Sequence, residues 1–367
     1  MSRCAERRAH LVSALAAAEL DALIVSHPPN VRYLTGYVGS NGIAVLGRGG
    51  GRVLTDSRYA VSAREQVDPD LEVVIGPGDL TADIARAVAA IAPGGRVGLE
   101  ADHTSMARGA QLTASIMAGD PAIRVSSEVG RVEALRLIKD PDEITAIARA
   151  ADMVDAALAS VLHAGIVGRS ERDVAFALQT ELFRRGAEGP SFEIIVATGP
   201  NGAKPHAVPG NRVIANGELV VIDLGAIADG YCSDMTRTVP TGALPDALAR
   251  AYAVCAQAQS AALAAVRPGI TCAALDAVAR DVITEAGLGE AFGHGLGHGV
   301  GLEIHEAPRV SREGTETLGP GMVVTIEPGI YLAGLGGVRI EDLVVVTHDG
   351  ARVLSQSPKA SISSTTG

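Results

Sequence analysis

Two stretches far apart in this chain carry the same pattern, and that pattern limits the folds open to it. Gly217-Glu218-Leu219-Val220-Val221-Ile222-Asp223-Leu224-Gly225 and Gly321-Met322-Val323-Val324-Thr325-Ile326-Glu327-Pro328-Gly329 are each an apolar strand that ends on a carboxylate and reaches a glycine within two residues. Each is followed by a second strand-like segment with a further acid: Asp234 lies 11 residues after Asp223, and Glu341 lies 14 after Glu327. Two hairpins that each carry two carboxylates point to a duplicated half-domain whose halves face each other. Two unrelated surface hairpins are the plainer alternative.

Strands this apolar direct Asp223 and Glu327 into the protein. An ionised carboxylate buried without a partner is very costly, and four of them on facing hairpins repel one another. Either they are protonated or cations compensate them. Arg339 lies two residues before Glu341 and shares its strand face, but one guanidinium does not offset four acids; two divalent ions do. A third segment joins them. His294, His298 and His305 fall within 12 residues, interleaved with Gly295, Gly297, Gly299 and Gly301. So much glycine excludes a stable helix and lets the backbone approach a ligand closely. A single histidine is usually structural or solvated, but three of the chain's nine in one nearly charge-free stretch mark a site.

Four carboxylates and an imidazole form a hard, oxygen-rich donor set. It favours Mn²⁺, with Co²⁺ or Zn²⁺ as substitutes, over a thiolate zinc site. Two ions about 3.5–4 Å apart can hold a bridging hydroxide at neutral pH and polarise a carbonyl. The expected chemistry is metal-assisted hydrolysis, with the remaining histidines as hydrogen-bond donors near the reacting carbonyl.

Composition narrows the class further. At roughly 150 residues per domain, a 367-residue chain allows two or three domains. Hydrophobic residues at 47% and charged residues at 20% are those of a soluble globular protein. The net charge of −11 argues against nucleic acid and anionic membrane partners. Among the basic residues only Lys139, Lys204 and Lys359 are lysines, a skew read as a bias of composition and not of function. With no tryptophan, the core must be built from Ala, Val, Leu and Ile. Four widely spaced cysteines form neither a disulfide framework nor a zinc motif. No secretory signal is visible. Residues 251–266 are uncharged but include Tyr252, Gln257, Gln259 and Ser260, and fall short of the about 20 apolar residues of a membrane span. A cytoplasmic protein is expected.

Along the chain, residues 1–125 alternate helical and strand-like segments. A helix is expected over 7–20 and a strand over 22–25, with a break at Pro28-Pro29. A hairpin is expected between 43–46 and 52–54, and further β/α alternation indicates a mixed sheet. Asp140-Pro141-Asp142-Glu143 is a helix start, with a capping Asp, Pro at the first position and acids in the first turn. Further helices are expected from Ser170, over 244–266 and over 273–286. Strands are expected over 194–197, 219–224, 236–239, 323–326 and 337–347.

Taken together, these residues resemble the pita-bread metallopeptidases, the family of methionine aminopeptidase, aminopeptidase P and prolidase. Asp223, Asp234, His298, Glu327 and Glu341 match its five-ligand pattern in order. The surrounding text is similar too: Ser191-Phe192-Glu193-Ile194-Ile195-Val196-Ala197-Thr198-Gly199, Pro205-His206, Tyr231-Cys232-Ser233-Asp234-Met235-Thr236-Arg237-Thr238, and Gly337-Val338-Arg339-Ile340-Glu341-Asp342. Asn30-Val31-Arg32-Tyr33-Leu34-Thr35-Gly36 is similar to the start of the creatinase-type N-terminal domain, which simple methionine aminopeptidases lack. The nearest branch is that of the Xaa-Pro peptidases, aminopeptidase P or prolidase of the bacterial PepQ type.

The resemblance implies an α/β (α+β) chain: a creatinase-like N-terminal α/β domain over 1–128 and a pita-bread catalytic domain with duplicated half-domains over 129–367. It implies that Asp223 chelates one metal, that Asp234 and Glu341 bridge two, and that His298 and Glu327 hold the other. Glu327 would also move a proton, which makes it catalytic beside His206 and His305, the residues implied to bind the substrate carbonyl and the oxyanion. His294 and Arg339 would stand behind the metals or touch substrate. Arg309 suits the C-terminal carboxylate of an Xaa-Pro dipeptide, or is a solvated loop arginine. Tyr231 is either a substrate-lining phenol or a core residue.

The implied substrate is a small peptide with proline at its second position, hydrolysed by a homodimer with two divalent ions. Three alternatives stay open. One is aminopeptidase P activity on longer peptides. The second, a metal-free creatinase-like amidinohydrolase, is disfavoured by the intact ligands. The third is a non-enzymatic binding protein on the same fold.

Overall fold

The computed structural model describes residues 2–360. The chain divides into two compact units at the Arg136–Leu137 junction.

In the first unit, helix α1 (Arg3–Ala17) leads into strand β1 (Ala22–Val25), then α2 (Pro28–Thr35) and the hairpin β2 (Gly42–Gly47) and β3 (Gly50–Asp56). The chain continues through α3 (Ala60–Gln66), β4 (Glu72–Gly76), α4 (Thr81–Ile91), β5 (Arg96–Glu100), α5 (Met106–Gly119), β6 (Arg124–Glu128) and the short α6 (Glu133–Arg136). The six strands form one mixed sheet in the order β4-β3-β2-β1-β5-β6. Ile84 and Val88 of α4 and Leu112 and Ile116 of α5 pack on Ile24, Val45, Leu54 and Val97 of that sheet.

Pro28-Pro29 does not break the chain but opens α2, because a proline at a first helical position gives up only an N–H that has no partner there. The unit also runs past the 128/129 boundary placed by sequence. Asn30 Nδ2 donates to Glu133 Oε1 at 2.5 Å and Arg136 Nη1 donates to Asn30 Oδ1 at 2.7 Å, so α6 is tied to α2.

The second unit shows one plan twice. Its first half opens with α7 (Pro141–His163), started by a capping box between Asp140 and Glu143, and α8 (Glu171–Arg184). There follow β7 (Gly189–Pro190), β8 (Ile195–Thr198), β9 (Leu219–Leu224), β10 (Ala226–Ala228), β11 (Tyr231–Cys232) and β12 (Met235–Pro240). The second half opens with α9 (Asp246–Ala265) and α10 (Cys272–Glu285). Then come β13 (Gly297–Gly299), β14 (Glu306–Val310), β15 (Val323–Ile326), β16 (Gly329–Leu332), β17 (Gly336–Arg339), β18 (Asp342–Val346) and β19 (Ala351–Val353).

Each half is a helix pair laid on a sheet. Val154, Leu158, Val174 and Leu178 of α7 and α8 bury against Val220 and Ile222 of β9. Cys255, Ala258, Leu275 and Ala279 of α9 and α10 bury against Val324 and Ile326 of β15. The uncharged stretch 251–266 makes up most of α9, with Ala251, Tyr252, Cys255, Ala258, Gln259 and Ala262 on its buried face, and among the described residues no helix is long and apolar enough to cross a membrane.

The hairpins correspond as well. β9 pairs antiparallel with β12, Asp223 opposite Thr236, and β15 pairs antiparallel with β18, Ile326 opposite Asp342. Each pair carries an inserted ribbon: β10–β11 in the first half and β16–β17 in the second. Residues 337–347 are consequently two strands and not one. The chain changes partner at Ile340-Glu341, where the Glu341 amide donates to the Thr236 carbonyl at 3.1 Å and joins the two halves.

Candidate active site

The carboxylates sit where the hairpins end. Asp223 is in β9, Asp234 immediately precedes β12, Glu327 follows β15 and Glu341 immediately precedes β18. Asp223, Asp234 and Glu341 are 8%, 5% and 1% exposed. His298 joins them from β13, where glycine leaves room for no other side chain. A Cβ at Gly297 would lie 2.0 Å from the Thr325 carbonyl oxygen, and one at Gly299 would lie 2.1 Å from that of Ala307. His298 Nε2 is 3.3 Å from Glu327 Oε1 and 3.5 Å from Asp234 Oδ2. Asp234, His298 and Glu341 each offer a donor atom within 4.8 Å of the others.

Electrostatics show what this cluster lacks. Burial, reinforced by the neighbouring carboxylates, pushes the Asp234 and Glu341 carboxyls well above the usual range. Burial also raises Asp223, despite the guanidinium of Arg339, whose Nη2 donates to Asp223 Oδ2 at 2.7 Å. Burial would raise Glu327 too, but the hydrogen bond and charge of His298 outweigh it and hold the carboxyl at about 2. The same contact raises His298 against the effect of its own burial. Asp223 Oδ1 and Glu341 Oε1 are buried with no hydrogen-bond partner. Orphaned carboxylate oxygens among like charges are what a divalent cation satisfies, and the donor set fits such an ion.

Several residues that sequence reasoning passed over build the frame. Thr236 Oγ1 donates to Glu341 Oε2 at 2.8 Å and accepts from Arg339 Nε at 3.0 Å. Thr325 Oγ1 accepts from the His298 amide at 3.1 Å and donates to Glu327 Oε1 at 3.1 Å. Asp276 and Arg280 of α10 form a buried pair at 2.7 Å. Arg280 donates to the carbonyls of Phe292 and His294, and the Leu296 amide donates to Asp276, which fixes the histidine loop. Threonines have no motif signal of their own; only the two-residue spacing of Thr236 from Asp234 and of Thr325 from Glu327 hints at a shared face.

A cleft of about 640 Å³ opens on the cluster. The metal-type ligands, His206, His294, His305, Arg309 and Arg339 all line it, beside an apolar wall that includes Phe192, Ile195 and Ile304. His206 and His305 are exposed at its rim, and the His305 ring meets that of His298 edge-on at 4.4 Å. Burial, and then the neighbouring His298, lower the His305 pKa. Burial lowers that of His294, whose Nε2 lies 3.0 Å from the Tyr331 hydroxyl. Arg309 faces His298 across β13 and β14, on the same side of the sheet, and its guanidinium has no hydrogen bond or ion pair among the described residues.

Tyr231 does not reach the cleft, which corrects its assignment as a substrate-binding residue. Its ribbon turns to α7, and its hydroxyl donates to Glu143 Oε1 at 2.8 Å inside an apolar cluster. The tyrosine at the site comes from the corresponding ribbon of the other half. The Tyr331 hydroxyl accepts from Arg339 Nη1 at 2.7 Å, and burial pushes the phenol up to about 12.

An α/β unit followed by a duplicated unit, with four acids at the ends of its two hairpins and an imidazole beside them on β13, defines a metal-dependent hydrolase of the pita-bread class. Residues 145–348 match metallopeptidase family M24, and residues 7–138 match the creatinase/prolidase N-terminal domain. The chain is 40% identical over 340 residues to an uncharacterized peptidase, YqhT, of Bacillus subtilis (strain 168), covering 93% of this chain and 95% of that one. Among solved structures it is similar to an Xaa-Pro dipeptidase from Bacillus anthracis, with a TM-score of 0.91 and 36% identity over 98% of this chain and 99% of that one. It is similar also to an X-Pro aminopeptidase from Thermotoga maritima MSB8, with a TM-score of 0.86 and 32% identity over 96% and 99%. The chain belongs to metallopeptidase family M24.

Proposed function

We propose that this protein hydrolyses the peptide bond before a proline at the second position of small peptides. The observation that carries the reading is the pair of orphaned carboxylate oxygens on Asp223 and Glu341, set among Asp234, His298 and Glu327 at the floor of a partly apolar cleft. In this reading Asp223 would hold one divalent ion and His298 with Glu327 the other, with Asp234 and Glu341 serving both. Bound there, the two ions, Mn²⁺ with Co²⁺ or Zn²⁺ as substitutes, would lower the pKa of water and polarise the scissile carbonyl.

The chain's own groups do the rest. Glu327, poised beside His298, takes up the proton of the attacking water. His206 and His305 stand at the rim as donors to the carbonyl oxygen and to the oxyanion that replaces it. The apolar wall accepts the proline ring. Arg309, its guanidinium without a partner among the described residues, meets the substrate's free carboxylate bidentately. Names of related proteins, Xaa-Pro dipeptidase and X-Pro aminopeptidase, support the reading.

A cytoplasmic setting is carried with it, supported by four free cysteines, none of them exposed. The homodimer is carried forward from the family resemblance. One further observation favours activity on longer peptides as a second reading. A cavity of about 400 Å³ adjoins the cleft through His294, Gly295 and Arg309 and leaves room beyond the proline.

The test is turnover of Ala-Pro, Ala-Pro-Ala and Ala-Ala by chain stripped of metal and reloaded with Mn²⁺. Proline-dependent hydrolysis that vanishes on stripping and returns on reloading is expected. Full activity in the stripped chain, or none toward either proline peptide after reloading, overturns the proposal.

A further inference from the structure

The mechanism leaves one buried ionic network unused. Arg237, on β12 beside Thr236, is 3% exposed and spends its donors in two directions. Toward the site, Nη1 donates to the carbonyl of Thr236 at 3.0 Å and to that of Glu341. Away from it, Nε and Nη2 donate to the Ser357 carbonyl at 2.9 and 2.8 Å, and Nη2 donates to Asp342 Oδ1 at 2.7 Å. Asp342 Oδ2 in turn accepts from Lys359 Nζ at 2.6 Å and from Gln259 Nε2 at 2.8 Å.

The segment that supplies Ser357 and Lys359 lies beyond the last strand. It is nonetheless pinned at both ends. Asp155 of α7 accepts from the Gln356 and Ser357 amides at 2.7 Å each, and the Tyr252 hydroxyl of α9 donates to the Ala360 carbonyl at 2.9 Å. The segment therefore ties a helix of each half to the one arginine that grips the Thr236 and Glu341 backbones.

We propose that residues 355–360 are a positioning strap for the metal ligands, acting through Arg237 and Asp342. The inference rests on the reading that Glu341 and its neighbours bind divalent ions. Glu341 lies where the chain leaves β17 for β18, and no strand pairing holds its carbonyl. Arg237 supplies that hold. Arg237 keeps its own place because the Ser357 carbonyl takes two of its donors and Asp342 a third. Without the strap, two N–H groups of a buried guanidinium lose their acceptor, which is costly, and the arginine is free to leave Glu341. Partners that stand behind metal ligands typically contribute 10–100-fold to metal affinity.

The test compares the parent chain, a truncation ending at Leu354, and Lys359→Met, whose partly exposed side chain can be removed without opening the core. For each, Mn²⁺ binding is measured by calorimetry and bound metal by elemental analysis after dialysis, with folding checked by circular dichroism. The truncation is expected to bind Mn²⁺ about 10–100-fold more weakly. Lys359→Met should show a several-fold loss in the same direction. Turnover at limiting Mn²⁺ should fall in both variants through kcat, with KM unchanged, and recover as Mn²⁺ is raised. Folded variants with the parent's Mn²⁺ affinity overturn the strap. If the truncation does not fold, an unchanged affinity in Lys359→Met overturns it alone. A parent chain that binds no Mn²⁺ refutes the metal reading itself, a different result from a parent that binds and variants that match it.

Discussion

Arg339 Nη2 donates to Asp223 Oδ2 at 2.7 Å, while Asp223 Oδ1 has no partner, so one carboxylate is divided between a fixed cation and an open position. The guanidinium is nearly fully buried and also touches Thr236, Tyr331 and the Pro205 carbonyl. It offsets part of the negative charge of the cluster. Removing one partner of such a pair leaves the other uncompensated, at a cost of about 3–5 kcal/mol. Arg339→Met is therefore expected to destabilise the metal-stripped chain by that order, and less so the Mn²⁺-loaded chain. Denaturant unfolding of both forms checks it, and equal losses in the two would contradict it.

Raised carboxyls give a pH dependence of definite sign. Asp234 and Glu341 bind protons more tightly in the folded chain than in the unfolded one. Their contribution is present below the unfolded value and is lost as pH rises toward the folded value. Glu327, held at about 2, behaves oppositely: its contribution is present above the ordinary value of 4.5 and is lost as pH falls. Metal displaces the protons of Asp234 and Glu341. The melting temperature of loaded chain minus that of stripped chain should therefore widen as pH rises from about 4.5, and loading should release protons into a weak buffer. A constant gap with no proton release would count against the cluster as a metal site.

Arg309 provides a substrate test. A hydrogen bond to a charged group contributes about 1.5–3 kcal/mol, or roughly 10- to 100-fold. Arg309→Ala should raise KM by that factor for Ala-Pro and leave Ala-Pro-amide nearly unchanged. Equal effects on the acid and the amide would show that the guanidinium does not read the carboxylate.

Thr236 is the hydroxyl through which Glu341 and Arg339 communicate. Thr236→Val keeps the volume but leaves a buried donor and acceptor unmatched, at about 1–3 kcal/mol. Thr236→Ser restores the oxygen. Unfolding of the stripped chain should rank parent, Ser and Val in falling stability, with Mn²⁺ affinity following the same order. A valine variant equal to the serine one would show that shape alone matters there.

Much of this site could be read from the sequence because each ligand sits at the end of an apolar run, where burial and charge conflict. Helix starts at Asp140 and Ser170 were legible from their caps, since capping is local chemistry. What stayed hidden depends on partners remote in sequence. Residues 337–347 carry enough β-branched and apolar residues around Arg339, Glu341 and Asp342 to read as one strand, and only the pull of Thr236 from the other half reveals the break at Glu341. Tyr231 and Tyr331 occupy corresponding ribbons, and nothing local says which one turns inward. That is decided by Glu143 on one side and by Arg339 with His294 on the other.

The two inserted ribbons differ in length and in where they lead. The β10–β11 ribbon faces away to α7, whereas β16–β17 is longer and delivers a phenol and a guanidinium to the cluster, on the half that also carries the imidazole. The twofold plan is thus lopsided: Asp223 of the first half shares its carboxylate with the Arg339 guanidinium, whereas Glu327 of the second lies beside the His298 imidazole. On the proposed two-ion reading, positions so unlike would fill with unequal avidity, and occupancy would climb in two separate stages with a half-filled species between them.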